Sequence, residues 1–174
     1  MSTPMKSLEP PDTHYLSAAL GWLELGNRAE TRTELASISA EGQKHPDVLE
    51  ARWALWSAEE NWPEALRVAR ELVERAPDRA SGWVFRAYAL RRVPEGGLQP
   101  AWEALLPASE QFAQETIVAF NLACYACQMR QLETARKWLQ RAARIGGKLT
   151  IQRMALAEPD LEPLWPEIRG WAES

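Results

Sequence analysis

The sequence predicts an all-α protein, an α–α superhelix of about four helix hairpins closed by a C-terminal cap. Three observations carry that expectation. Apolar residues recur at helical three- and four-residue spacing, and no stretch keeps the strict alternation of a half-buried strand. Turn signals punctuate the chain at short, fairly regular intervals: Gly26-Asn27, Gly42 to Pro46, Asn61-Trp62-Pro63, Pro77-Asp78, Pro94 to Pro100, Pro107, Gly146-Gly147 and Pro159-Asp160. Similar blocks return at a spacing of about 31–38 residues, the signature of a helical solenoid.

Taken in order, residues 1–12 ("MSTPMKSLEPPD") carry one Lys and no apolar run, so they read as a flexible lead-in and not as a secretory signal. Helices are then expected near 13–26, 28–42, 47–60, 62–76, 80–92, 99–110, 114–129, 131–145, 148–157 and 161–171. Pro63 and Pro100 fall where a first helical turn tolerates proline, because the N–H that proline lacks has no partner there anyway. Linkers this short force neighbouring helices to run antiparallel. The organisation predicted is repeats at about 13–46, 47–78, 79–112 and 114–146, followed by a capping segment at 147–174. The tail "KLTIQRMALAEPDLEPLWPEIRGW" spaces Leu161, Leu164, Trp165, Ile168 and Trp171 to cover the last apolar face, which a solenoid needs. A helix offered to a partner is the competing reading of that tail.

The clearest repeat is "FNLACYACQMRQLETARKWLQRAARI", with Leu122 and Ala123 in its first helix and Ala135, Leu139 and Ala142 in its second. Trp56, Ala65, Ala69, Leu72 and Pro77 match it, as do Trp83, Ala87, Leu90, Ala101, Leu105 and Ala108; Ala19, Trp22, Gly26, Leu35 and Ile38 match it more loosely. On these residues the chain resembles the tetratricopeptide repeat (TPR) family over about residues 13–145. Alanine at the crossing points suits such a unit, because it lets two helix axes approach to about 8–10 Å. Departures from the pattern are Thr31 for the usual Ala, Trp53 at a usually small position, and Pro94 with Gly96-Gly97, which lengthen the third turn and predict a distorted third repeat.

The resemblance implies a right-handed solenoid and a non-catalytic scaffold or adaptor that holds a peptide or helix in a concave groove lined by the first helix of each pair. The register maps that groove to Leu16, Leu20, Leu23 and Glu24, then Glu50, Ala54 and Ser57, then Val84, Tyr88, Arg91 and Arg92, then Phe120, Asn121, Cys124, Cys127 and Gln128. Chaperone-tail binders of the family grip a carboxylate with Lys, Asn and Arg, where this chain has Leu16, Leu20, Ala51, Ser81 and Phe85. That function does not fit. A secretion-type chaperone for an apolar client segment is a narrower alternative, and self-association is compatible with the fold.

The catalytic inventory is thin. His14 and His45 have no sequence-adjacent metal partner, and four-ligand zinc sites would need every Cys and His in the chain. Gly96-Gly97 lacks the lysine of a phosphate loop, so no cofactor is implied. The pair Cys124/Cys127 is the one arrangement with redox or metal spacing, and such a function is the alternative to a scaffold. Reactive C-x-x-C pairs place a thiol at a helix N-terminus, where the dipole favours the thiolate. These two fall mid-helix, where two small packing or groove residues are the simpler reading.

A net charge of −4 argues against nucleic acid as a partner, since counterion release needs clustered cations. The stripe Lys137, Arg141, Arg144 and Lys148 is the exception, read as a solvated outer face, with an acidic partner as the alternative. No window approaches the roughly 18–20 apolar residues of a membrane span. With two cysteines and no export signal, a cytoplasmic location is expected.

Overall fold

The computed structural model describes residues 7–173, and among them it is all helix and turn. The helices run α1 (Asp12–Glu24), α2 (Arg28–Ser37), α3 (Pro46–Ala58), α4 (Trp62–Arg75), α5 (Ala80–Leu90), α6 (Leu98–Leu105), α7 (Ala108–Gln111), α8 (Thr116–Gln128), α9 (Leu132–Gly146), α10 (Lys148–Ala157) and α11 (Trp165–Arg169). Single 3₁₀ turns lie at Gly42–Lys44, Pro159–Leu164 and Gly170–Glu173. No helix is long and apolar enough to cross a membrane.

Three of the helix-to-helix turns use one device. Gly26, Glu60 and Arg130 all sit in the left-handed region, at φ of 74°, 55° and 63°. The next N–H in each case reaches back to the last turn of the helix: Asn27 to the Trp22 carbonyl, Asn61 to Trp56 and Gln131 to Ala126, each at 2.9 Å. This left-handed cap satisfies carbonyls that the helix end would otherwise leave open. Asn27 and Asn61 then start the following helix, their side chains accepting from the Glu30 and Glu64 N–H groups at 3.2 and 3.4 Å. The third turn, which carries Pro94, is built differently. Val93 is buried and the Gly97 N–H bonds to the Leu90 carbonyl at 3.0 Å. Gly97 has φ of 127°, and a Cβ on Gly96 would collide with the Leu90 carbonyl, so both glycines are needed there.

The chain divides into two compact units, one ending at Asp78 and one beginning at Arg79. In the first, Ala19, Leu35, Ile38, Val48, Ala51 and Leu55 form a core against which Tyr15, Leu16 and Leu23 pack. Thr31, where the repeat pattern has Ala, is fully buried and spends its hydroxyl on the Asn27 carbonyl at 2.9 Å. Residues 1–6 of the expected flexible lead-in lie outside the described residues. Its last residue, Asp12, is fixed in place as the buried start of α1, accepting from the Ser39 N–H at 2.8 Å and from the Ser39 hydroxyl. That bond also explains why the helix expected at 28–42 stops at Ser37: the Ser39 N–H goes to a carboxylate, and Ile38 is extended.

In the second unit a larger core gathers Ala87, Ala101, Leu105, Leu122, Ala123, Tyr125, Ala135, Leu139 and Ala142 with Ile151, Leu161, Leu164 and Ile168 of the C-terminal segment. The helix expected at 99–110 is broken into α6 and α7, with Pro107, which has no N–H, between them. The helix expected at 161–171 is likewise replaced by a 3₁₀ turn, the short α11 and a second 3₁₀ turn, with Pro163 inside the first turn and Pro166 at the start of α11. This segment packs against α8 and α10 and is tied to α9 through Glu167 and Arg136.

Candidate functional site

In the first unit the residues expected to line the groove come from α1 and α3, which pack on each other. Leu16, Leu20 and Leu23 recur at four and three residues, one stripe of α1. Leu20 is 43% exposed, while Leu16 and Leu23 are half-buried against the core. Glu24 on the same helix is exposed, and Glu50, Ala54 and Ser57 are half-buried positions of α3. Trp22 and Leu25 add further exposed apolar surface at the end of α1.

In the second unit the expected groove residues have another environment. Val84, Phe120, Cys124 and Cys127 are buried, at 8%, 6%, 4% and 1% exposure. They do not line an open surface as the repeat register implies; at Cys124 and Cys127 the chain's own Glu158–Leu164 segment lies against α8. Arg91 on α5 forms a bidentate ion pair with Asp160, one arm at 2.9 Å and the other from Nη1 to Oδ2. Gln128 on α8 donates to the Asp160 backbone carbonyl at 3.0 Å. Leu161 and Leu164 are buried to 0% and 1% exposure. The guanidinium of Arg91 also lies over the Tyr125 ring, 5.9 Å from its centre. Arg92 stacks on Tyr88 and donates to the Tyr88 carbonyl at 3.0 Å. Asn121 uses its amide on its own helix, bonding the Ile117 carbonyl at 2.9 Å.

The same packing determines the character of the thiols. Both cysteines are free, and both sit inside α8 and away from its first turn. Burial pushes the Cys124 thiol well above the ordinary range, and the nearby Glu158 and Asp160 carboxylates push it the same way. Cys127 is raised too, by burial first and then by Asp160. A thiol held protonated is a poor nucleophile and a poor metal ligand. Among the described residues no group of three or more His, Cys, Asp or Glu side chains is placed to hold a metal ion.

Of the basic stripe, Arg141 donates to the Ser109 carbonyl at 2.6 Å and lies over Trp138, while Lys137 and Arg144 are exposed. Arg136 beside the stripe is paired by Glu167 of the tail, at 2.6 and 2.7 Å.

No family model matches the chain, and no curated protein sequence does. Solved structures do. A thermophilic TPR protein of Thermus thermophilus superposes with a TM-score of 0.68 at 15% identity, covering 93% of this chain and 97% of that one. The MamA protein superposes with a TM-score of 0.66 at 14% identity, covering 93% and 88%. The fold is that of a TPR protein. Within this TPR fold the repeat register locates the first helices but carries no information about what the segment after the last hairpin does. Asp160 and Glu158 were therefore missed as partners of Arg91, Gln128 and Cys124. One signal was present in the sequence: an aspartate between two prolines and ahead of Leu161 and Leu164, which is costly to bury unless a cation meets it.

Proposed function

We propose that the protein is a non-catalytic interaction scaffold that holds an apolar-anchored peptide or amphipathic helix of a protein partner on the α1–α3 face of its first unit, in the cytoplasm. The observation that carries this reading is the leucine stripe of α1. Leu20 stays 43% exposed beside half-buried Leu16 and Leu23, and exposed Trp22 and Leu25 at the end of the same helix extend the apolar surface. The buried, protonated thiols support the same reading against a redox or metal-dependent one. A secretion-type chaperone role is the special case in which the bound segment belongs to an export client, and it would use the same stripe.

The test is capture of the partner from the native lysate by full-length protein and by Leu20→Glu. A charge at this half-exposed position leaves the melting temperature within a degree or two, as surface substitutions do. It reduces capture at least tenfold, because an anchor pocket cannot pair the carboxylate. Undiminished capture by a folded Leu20→Glu protein would place the binding face elsewhere.

A further inference from the structure

The α5–α8 face holds a segment of its own chain in the manner of a bound peptide. Asp160 is gripped twice, by Arg91 of α5 through its carboxylate and by Gln128 of α8 through its backbone carbonyl. Its carboxylate and the guanidinium are each about four-fifths covered, at 20% and 21% exposure. Leucines one and four residues further on, Leu161 and Leu164, fill apolar space on the same segment. The segment is preorganised: Glu158 caps it by accepting from the Asp160 N–H at 3.2 Å, and Pro159 and Pro163 stiffen the 3₁₀ turn. Under the clamp the Tyr125 hydroxyl is buried with no hydrogen-bond partner, so the polar groups at this site exceed those that the tail satisfies.

A cap needs only apolar cover. A buried ion pair adds little to stability over an apolar pair of similar size, because desolvation offsets the attraction; what it adds is register and discrimination. A bidentate carboxylate contact, a backbone contact and two leucines buried in the core of the unit, all on one short segment, amount to a readable sequence pattern. We propose that the α5–α8 face is a peptide site specific for an aspartate followed by leucines at the first and fourth positions after it. Its own Asp160–Leu164 occupies it as an internal copy of the ligand, and a partner segment of the same acidic, leucine-bearing chemistry exchanges with it. The internal copy competes from a high effective concentration, so the intact chain binds such a partner weakly until its own clamp is loosened. This site is separate from the α1 stripe, and loss of binding at Leu20 leaves it untouched.

The probe is a fluorescein-labelled peptide with the sequence of residues 157–165, titrated by anisotropy into full-length protein. Wild type is expected to bind it weakly, and Asp160→Asn, which loosens the internal copy without changing its size, at least tenfold more tightly. Adding Arg91→Ala to Asp160→Asn should abolish the gain, and a peptide with Asn in place of its aspartate should show none. Leu164→Ala provides a second way to loosen the internal copy if Asp160→Asn lowers the melting temperature. The proposal fails if both loosened variants, shown folded by circular dichroism, bind the peptide no better than wild type, or if Arg91→Ala leaves the gain intact. Dimerisation of wild type that Arg91→Ala abolishes, without capture of the peptide, would assign the site to the tail of a second copy and overturn the proposal.

Discussion

The first-helix faces of the two units are built by the same repeat logic and end in opposite states. On α1 and α3 the apolar positions are left half open; on α5 and α8 they are covered, and the cover brings its own carboxylate to meet Arg91. The difference shows that the repeat register fixes where the first-helix faces lie but not whether they are open. Availability depends on chain outside the repeats, here the segment from Glu158 to Leu164.

The sharpest way to break the comparison is to truncate one leucine in each state. Leu161 is fully buried in the larger core, so Leu161→Ala should lose about 2–5 kcal/mol, the transfer term plus the cavity left behind. Leu20→Ala should lose no more than about 0.5 kcal/mol, because nearly half of that side chain already meets water. Urea denaturation of both variants gives the two numbers directly. Equal losses would mean that the tail is only loosely seated or that the α1 stripe is core, and either outcome removes the contrast.

This contrast also marks what the sequence could and could not disclose. Helical spacing, the turns at Gly26-Asn27 and Asn61-Trp62-Pro63 and the alanine crossings were legible, because each is a local rule about one turn or one helix pair. Ala65, Ala69, Ala135 and Ala142 are all completely buried, as the crossing geometry requires. The burial of Cys124 and Cys127 was not legible, because the segment packed against their helix, Pro159–Leu164, lies more than thirty residues further along. The break after Ser37 escaped for the same reason, since Asp12 takes the Ser39 N–H from a distant part of the chain.

That Asp12 bond gives the first unit an effect of its own at low pH. Hydrogen bonds from the Ser39 hydroxyl and N–H hold the Asp12 carboxyl below the usual carboxylate range, with burial opposing them. A carboxyl with a lower pKa folded than unfolded adds stability above its unfolded value. That contribution fades as the pH falls towards the folded one. The melting temperature of wild type should therefore exceed that of Asp12→Asn at pH 7, and the gap should narrow steadily as the pH is lowered through the carboxylate range. A gap independent of pH would show that Asp12 contributes through shape alone. The Glu167 carboxyl in the second unit is also lowered, by Arg136, but Glu167 is exposed, so Glu167→Gln should show a smaller gap that salt removes.

The smallest expected effect concerns what the two units share. Gly26, Glu60 and Arg130 occupy the same left-handed cap position, yet only the first is a residue for which that conformation is free of cost. A side chain with a Cβ pays about 1 kcal/mol or slightly more to stay there. Replacing Glu60 or Arg130 by glycine removes that strain and at the same time makes the unfolded chain more flexible, which costs part of the gain. The balance should leave Glu60→Gly and Arg130→Gly each more stable by a few tenths of a kcal/mol, with the paired Asn61 and Gln131 hydrogen bonds intact. The reverse change, Gly26→Ala, should destabilise by about 1 kcal/mol although nothing lies within 4 Å of the added Cβ, so crowding cannot explain the loss. If all three substitutions moved the denaturation midpoint in the same direction, the three turns would not be one device, and the common basis for comparing the two faces would be lost.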